Sequence, residues 1–239
     1  MRQVPHTDTA PIGIAGDGRV ARHFIHYFTQ LGLEFRTWSR RNGPANPLDA
    51  FSTCGIVLLL LRDDAIEDFV NAWPALRTKR LVHCSGSLRT AVAESAHPLM
   101  TFGERLFGLD LYRRIPFIVE VGGTPFRCLL PELPNPSFAI PPEDKGYYHA
   151  LCVMAGNFST LLWARLFDQL EARFGIPASA ALPYLEQVST NLQSDGGRAL
   201  TGPLVRGDTG TIAANLSALE GDPFQAVYAA FARAYAERA

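Results

Sequence analysis

Short apolar runs alternate with stretches of helical period over the first part of the chain, to about residue 140. The runs at 12–15, 33–38, 56–61, 81–84, 116–119 and 138–140 have the composition of buried strands, and their alternation with helical patterns predicts an α/β domain on a mostly parallel sheet. Between the first two runs, Ala21, Phe24, Ile25, Phe28 and Leu31 recur at helical spacing, and Gly32 stands where a left-handed residue would end that helix. After the third run, Asp63 or Asp64 can cap a helix whose apolar face is Ala65, Ile66, Phe69, Val70 and Trp73, with Pro74 stopping it. The pattern weakens between 121 and 142, where GGTPFRCLLPELPNPSFAIPP is too rich in Pro and Gly for a full crossover helix. This half of the sheet is expected to be cut short.

Beyond it, EDKGYYHALCVMAGNFSTLLWARLFDQLEARFGI continues for about 33 residues without proline, a span of about 50 Å if helical throughout. Further helices are predicted near 180–199, 211–220 and 223–238, and nothing in this half resembles a strand. The chain therefore divides into a sheet domain, 1–141, and an all-α domain, 142–239. A long helix that is apolar nearly all round must be covered by other helices or by a second subunit, so a homodimer through the helical domain is expected.

Composition narrows the function classes. With 239 residues, 47% hydrophobic and 19% charged, the chain can bury a sizeable core. The net charge of −1 and the scatter of Lys and Arg offer no field for nucleic acid. The longest contiguous apolar run, GIVLLLL at 55–61, falls far short of the roughly 20 residues of a bilayer span, so no membrane association is expected. The first ten residues lack the apolar centre of a signal peptide and read as a short flexible tail, which favours the cytoplasm. Cys54, Cys84, Cys128 and Cys152 form no C-x-x-C pair and have no zinc-finger spacing, and read as reduced core residues; no metal site is expected.

The most informative stretch is Gly16-Asp17-Gly18-Arg19-Val20-Ala21, a G-x-G-x-x-A pattern between the first strand and the first helix. Gly16 permits a tight turn, Gly18 lets a pyrophosphate approach the backbone, and Ala21 allows close helix–strand packing, with helix N-terminal amides facing the anion. The second strand ends about 20 residues on, as a dinucleotide fingerprint requires, at Ser39-Arg40-Arg41 instead of the acidic residue that binds a free ribose 2′-hydroxyl. A guanidinium there matches a 2′-phosphate in charge and shape, which points to NADPH over NADH. Asp17 would repel the pyrophosphate, by on the order of 1 kcal/mol at 4 Å in water, unless it faces solvent or pairs with Arg19.

Ligands of open α/β sheets meet the carboxyl ends of the strands. LLRDDAI at 60–66, with Leu61 and Arg62, and HCSGSL at 83–88, with Ser85, fall there, and AHPLMTFG at 96–103 follows soon after. On the long helix Lys145 and His149 are four residues apart on one face, while Asn157 lies about 80° round from His149 in an uninterrupted α-helix. In the loop at 191–211, Arg206 can clamp an anion and Asp208 can cap the next helix.

These segments, with YYHALCVMAGNF and ALTGPLVRGD, resemble in order and spacing a bacterial family of Rossmann-like proteins with a helical C-terminal domain of unknown function. That family is related to pyrroline-5-carboxylate reductase, prephenate dehydrogenase and the 6-phosphogluconate dehydrogenase superfamily, and some members are reported as ketopantoate reductases. The resemblance implies a Rossmann-like mostly parallel sheet domain that binds NADP, followed by an all-α dimerisation domain like the C-terminal domain of 6-phosphogluconate dehydrogenase, with a substrate cleft between them. It also implies roles: Gly16 and Gly18 at the cofactor, Ser85 and His97 at the cleft rim, His149 and Asn157 on the long helix, and Thr201, Gly202, Pro203, Arg206, Gly207 and Asp208 in the loop. His97 in HPL looks like the substrate-contacting histidine of prephenate dehydrogenases. Asp17, Ala21, Asn215 and the short 121–142 segment depart from the family pattern.

The reading that results is an NADPH-dependent reductase of a small carbonyl or imine acid. His149, Lys145 and Asn157 are its candidate catalytic residues; Gly16, Asp17, Gly18, Arg19, Val20, Ser39, Arg40, Arg41, Leu61, Arg62 and Ser85 its cofactor residues; and His97, Thr201, Arg206 and Asp208 its substrate residues. In this scheme His149 donates the proton, Lys145 holds it or donates instead, Asn157 orients the substrate and Arg206 binds its carboxylate. The rival reading is a dimeric protein that binds a nucleotide for sensing without turnover. A third is an interaction module whose glycine loop is only structural.

Overall fold

The computed structural model describes residues 10–238. The tail expected at the N-terminus lies, but for Ala10, outside the described residues. By packing, the chain forms two compact units, Met1–Leu161 and Leu162–Ala239.

In the first unit β1 (Ile12–Ala15), α1 (Arg19–Leu31), β2 (Phe35–Trp38), α2 (Pro47–Ala50), β3 (Ile56–Leu59), α3 (Asp63–Ala72), β4 (Arg80–His83) and β5 (Glu94–Ser95) build a five-stranded sheet of order β2-β1-β3-β4-β5. Every pairing in it is parallel. Alternate residues of the apolar runs serve opposite faces. Ile14, Leu58 and Val82 pack with Phe24 and Phe28 of α1, whereas Val57, Leu59 and Leu81 pack with Ile66 and Val70 of α3. Burial on both faces is the reason these strands read as continuous apolar stretches. α1 ends as its sequence predicts: Gly32 has φ +70°, and its N–H and that of Leu33 return to carbonyls of the last turn.

The sheet is not continuous, contrary to the single sheet expected. β6 (His97–Pro98), α4 (Leu109–Arg114), β7 (Phe117–Glu120), α5 (Phe126–Leu129) and β8 (Ser137–Ile140) follow, and β6-β7-β8 form a second, three-stranded sheet in which β6 runs antiparallel to β7. Ala96 is the single residue between β5 and β6, so the chain leaves the β4 ladder and joins β7 within one step. The expected loss of the crossover helix is seen: only the short α5 lies between β7 and β8. Asn135 ties this irregular segment down, donating to the carbonyls of Tyr112 (2.7 Å) and Ile115 (2.9 Å) and accepting from the Tyr27 hydroxyl (2.7 Å).

Four other expectations need correction. Neither Asp63 nor Asp64 caps α3: the N-cap is Arg62, and both aspartates sit inside the first turn. The long helix, Pro142–Phe174, is not uniformly α, because a π turn at Met154–Phe158 separates α6 (Lys145–Val153) from α7 (Ser159–Phe174). The Ser159 and Thr160 hydroxyls donate to the Ala155 and Gly156 carbonyls at this wide turn. The α-helical angle from His149 to Asn157 therefore does not hold. Pro142–Phe174 is also, by length and composition, the one helix among the described residues that could cross a membrane; contiguous apolar runs miss it because polar residues punctuate it. All four cysteines are free; Cys54 is buried, Cys84 and Cys152 are half-buried, and Cys128 is exposed, not a core residue.

The second unit holds α8 (Leu182–Asp195), α9 (Pro203–Arg206), α10 (Thr209–Ala218) and α11 (Phe224–Ala236) besides most of α7. α9 is the one helix of this unit that periodicity does not mark. Arg165 pairs with Asp222 and lies over the Phe224 ring, and the Asn215 amide donates to the Tyr228 hydroxyl at 3.0 Å. Among the described residues of this unit only Ala181 is buried.

Candidate functional site

The turn after β1 is shaped by one glycine. Gly16 has φ +130°, and a Cβ there would lie 2.2 Å from the Leu60 carbonyl oxygen, so no other residue fits between β1 and β3. Its N–H donates to the Trp38 carbonyl at 2.8 Å, which joins the turn to the end of β2. Gly18 is the N-cap of α1, no side chain caps that end, and a Cβ on Gly18 would meet nothing within 4 Å. The leading amides of a 13-residue helix thus face open space, which suits a phosphate.

That space is one cavity of about 490 Å³. Its wall includes all eleven positions that the sequence marks for the cofactor, from Gly16 to Ser85, together with Trp38, Leu59, Leu60, Asp63 and Cys84. Arg40 and Arg41 stand exposed at its wall in a loop that is itself fixed. The Trp38 indole donates to the Pro44 carbonyl at 2.9 Å, and the buried Ser39 exchanges backbone hydrogen bonds with Asn42. Asp17 is exposed, and among the described residues no ion pair joins it to Arg19. Arg62 turns to Asp64, forming a bidentate pair at 3.0 and 2.6 Å. Burial pushes the Cys84 thiol up to about 12, so the cavity holds a thiol and not a thiolate near neutral pH.

At the Ser85 end the cavity meets a cluster that several elements assemble. The Ser85 hydroxyl donates to Asp63 at 2.5 Å and accepts from the Leu88 N–H at 2.9 Å, which folds the turn after β4. The Ser85 N–H donates to Nδ1 of His83 at 3.2 Å. Gly86 is buried against two imidazoles: a Cβ on it would sit 2.5 Å from Cδ2 of His149 and 3.1 Å from Nε2 of His97. His97 reaches the Tyr148 hydroxyl through Nδ1 at 2.8 Å. Burial, with the Lys145 charge nearby, holds His83 down to about 4; burial and the neighbouring His149 and Lys145 charges do the same to His97.

Lys145 is placed differently from its expected role. Its side chain is 3% exposed, and its ammonium donates to Glu120 (2.7 Å), the Ser95 hydroxyl (2.8 Å) and the Leu88 carbonyl (2.5 Å). With all three N–H bonds committed, it anchors the start of α6 to β5 and β7 and is not free to donate to a substrate. Asn157 is exposed on the π turn. In the second unit Thr201 and Arg206 are exposed. Asp208 caps α10, accepting from the Thr211 N–H (2.9 Å) and hydroxyl (2.7 Å), and these bonds hold its pKa below the usual carboxylate range.

Sequence reasoning missed Asp63, His83, Gly86 and Tyr148 as members of this cluster. The first three lie in segments already marked by their place at strand ends. Nothing in the local pattern distinguishes Tyr148 from Tyr147; only the fold does, leaving Tyr147 71% exposed and turning Tyr148 inward to His97.

Residues 124–235 match the model of a family described as a domain of unknown function, DUF2520. No curated protein matches the chain. Solved structures similar in fold include a Bacteroides fragilis protein provisionally named an NADP oxidoreductase, at 20% identity and TM-score 0.75, covering 96% of this chain and 98% of that one. A Streptomyces aurantiacus imine reductase matches at 16% identity and TM-score 0.65, covering 93% of each chain. A Plasmodium falciparum pyrroline carboxylate reductase, solved with NADP bound, matches at 13% identity and TM-score 0.60, covering 96% of each. The fold is that of a Rossmann-like domain followed by helices.

Proposed function

We propose that the chain is an NADPH-dependent oxidoreductase acting on the C=N or C=O bond of a small acid. The observation that carries this reading is the single cavity whose wall unites the glycine turn, the uncapped α1 amides, the Arg40–Arg41 loop and Ser85. Gly16 and Gly18 would receive the pyrophosphate, and Arg40 and Arg41 a 2′-phosphate. When bound, the reduced nicotinamide supplies a hydride. The chain's part is then to orient the substrate, exclude water and provide one proton, and the imidazoles packed on Gly86 are the groups placed for the last task. The two relatives named for imine and pyrroline carboxylate reduction support an imine substrate.

Titration of the intrinsic tryptophan fluorescence with NADPH, NADH and ADP-ribose tests the cofactor. NADPH is expected to bind at least tenfold more tightly than NADH, and Arg40→Gln with Arg41→Gln to remove that difference, since a lost charge-assisted bond is worth about 1.5–3 kcal/mol. Oxidation of NADPH in a panel of keto acids and cyclic imines tests the reaction. Binding without turnover would favour a sensing protein, and no binding would overturn both readings.

The helical unit is part of the proposal. Tyr184, Leu192, Leu200, Val205 and Phe231 are exposed on it and it buries almost nothing by itself, so we take it to be covered by a second copy of the chain. Sedimentation velocity across a concentration series is expected to show a dimer. A cytoplasmic setting, in which all four thiols stay reduced, completes the reading.

A further inference from the structure

We propose that Tyr148 is a positioning residue whose hydroxyl, donating to Nδ1 of His97, fixes that ring's proton on Nε2 and makes His97, not His149, the proton donor to the substrate. The inference rests on the oxidoreductase reading for its chemistry and on hydrogen bonding for the placement of the proton. Tyr148 and His97 are 2.8 Å apart, and their rings meet edge to face with centroids 5.5 Å apart. A phenol has one hydrogen to give, and an imidazole nitrogen is a far stronger acceptor than its other neighbour, the Cys152 sulfur. The hydroxyl therefore donates to Nδ1, and a neutral His97 carries its hydrogen on Nε2, the atom packed against Gly86.

His149 lacks such a partner. Among the described residues no hydrogen bond reaches either of its ring nitrogens, and it meets Gly86 through a carbon, Cδ2. A donor whose tautomer and orientation are unset must be organised at each turnover, whereas His97 is held beforehand. The charged and titratable groups round His97 are Asp63, His83, Lys145 and His149, with Lys145 paired to Glu120; their sum, with burial, keeps the ring neutral at pH 7. Burial and Cys152 push the Tyr148 hydroxyl above the ordinary tyrosine range, so it too is protonated.

The protons and electrons balance. The substrate carbon gains a hydride, hence two electrons, and the π pair of C=O or C=N moves to the heteroatom. That atom bonds the Nε2 proton of His97 and the Tyr148 proton passes to Nδ1; after the product leaves, solvent water returns one proton to Nε2 and the Nδ1 proton goes back to the half-buried tyrosine, which restores both groups. An alkoxide or amide anion is a much stronger base than a phenolate, so the relay runs downhill.

The test uses the full chain, labelled with ¹⁵N at histidine. Imidazole nitrogen shifts are expected to show His97 as the Nε2–H tautomer at pH 7, and Tyr148→Phe to yield a mixture of tautomers with the amide spectrum otherwise retained. A wild-type ring protonated on Nδ1 overturns the proposal without any substrate in hand. With a substrate found, Tyr148→Phe should lower kcat by about 10- to 100-fold while leaving the NADPH Kd unchanged, and His97→Gln should lower kcat at least as far. A His97→Gln enzyme with the wild-type kcat would overturn the assignment of the donor. Should no substrate be turned over, the oxidoreductase reading fails, while the tautomer measurement still decides where the His97 proton resides.

Discussion

Phe28 and Phe231 are the same side chain on helices of 13 residues each, α1 and α11, yet the first is completely buried and the second is 49% exposed. The difference belongs to the units that hold them. In the sheet unit an apolar stripe on α1 meets a sheet already fixed by its ladders, and residues from β1, β3, β4, α4 and α5 close round Phe24 and Phe28. In the helical unit each helix finds only other helices as partners, and one face of the set stays open. Apolar content is therefore a poor guide to self-sufficiency: what matters is whether a unit contains two layers that can bury one another.

The largest effect expected from this contrast is on stability. Phe28→Ala should cost about 3–5 kcal/mol through loss of transfer energy and an unfilled cavity, read as a fall in the urea midpoint at constant slope. Phe231→Ala should cost the isolated chain only about 1 kcal/mol, because about half of the side chain stays in water on folding. If the second copy covers that face, Phe231→Ala should instead weaken the dimer in sedimentation at concentrations where Phe28→Ala, still folded, remains associated. Equal losses from the two substitutions would break the contrast.

Acid should separate the units next. His83 and His97 are held down to about 4 in the fold, below the ordinary histidine value of 6.5. A depressed histidine pKa means that the unfolded chain binds more protons between these two values, so stability rises with pH there. The contribution is complete above pH 6.5, falls progressively toward pH 4, and amounts to at most about 3 kcal/mol for each imidazole. Residues 162–239 contain no histidine, so hydrogen exchange followed from pH 7 to pH 4 should show β4 and β6 losing protection before α8 and α11 do.

How much of this was legible in the sequence follows the same division. β1, β3, β4 and β7 were readable because both of their faces are buried, and the glycine turn because its glycines are demanded by local geometry: the φ of Gly16 and the Leu60 carbonyl admit nothing larger. The break at Ala96 left no such trace, since two-residue strands are too short to show a period. The role of Lys145 was misread for a related reason. A lysine four residues before a histidine marks a shared helix face, but only the positions of Glu120, Ser95 and the Leu88 carbonyl, all remote in sequence, reveal that its charge is consumed by an anchor. The π turn at Met154–Phe158 likewise depends on hydrogen bonds and not on composition, and it moves Asn157 out of the register that a count of α-helical residues implies. Nothing local foretold the openness of the helical unit, because its apolar residues obey the same period whether the covering partner is in the chain or outside it.

The smallest effect concerns Asp17, and it asks whether the cavity is as self-contained as the unit that holds it. Asp17 lines the cavity beside Gly16 and Gly18, where its charge opposes an incoming diphosphate. It is exposed, so water and salt screen it, and the penalty is at most about 1 kcal/mol. Asp17→Gly should accordingly tighten NADPH binding by no more than about fivefold at low ionic strength, and the gain should shrink as salt is raised past a Debye length of about 10 Å at 0.1 M. The sedimentation behaviour should not change at all, because the residue belongs to a cavity whose wall lies wholly within the sheet unit. A salt-independent gain would mean that Asp17 acts by shape and not by charge, and a change in association would mean that the two units do not divide the work as their packing suggests.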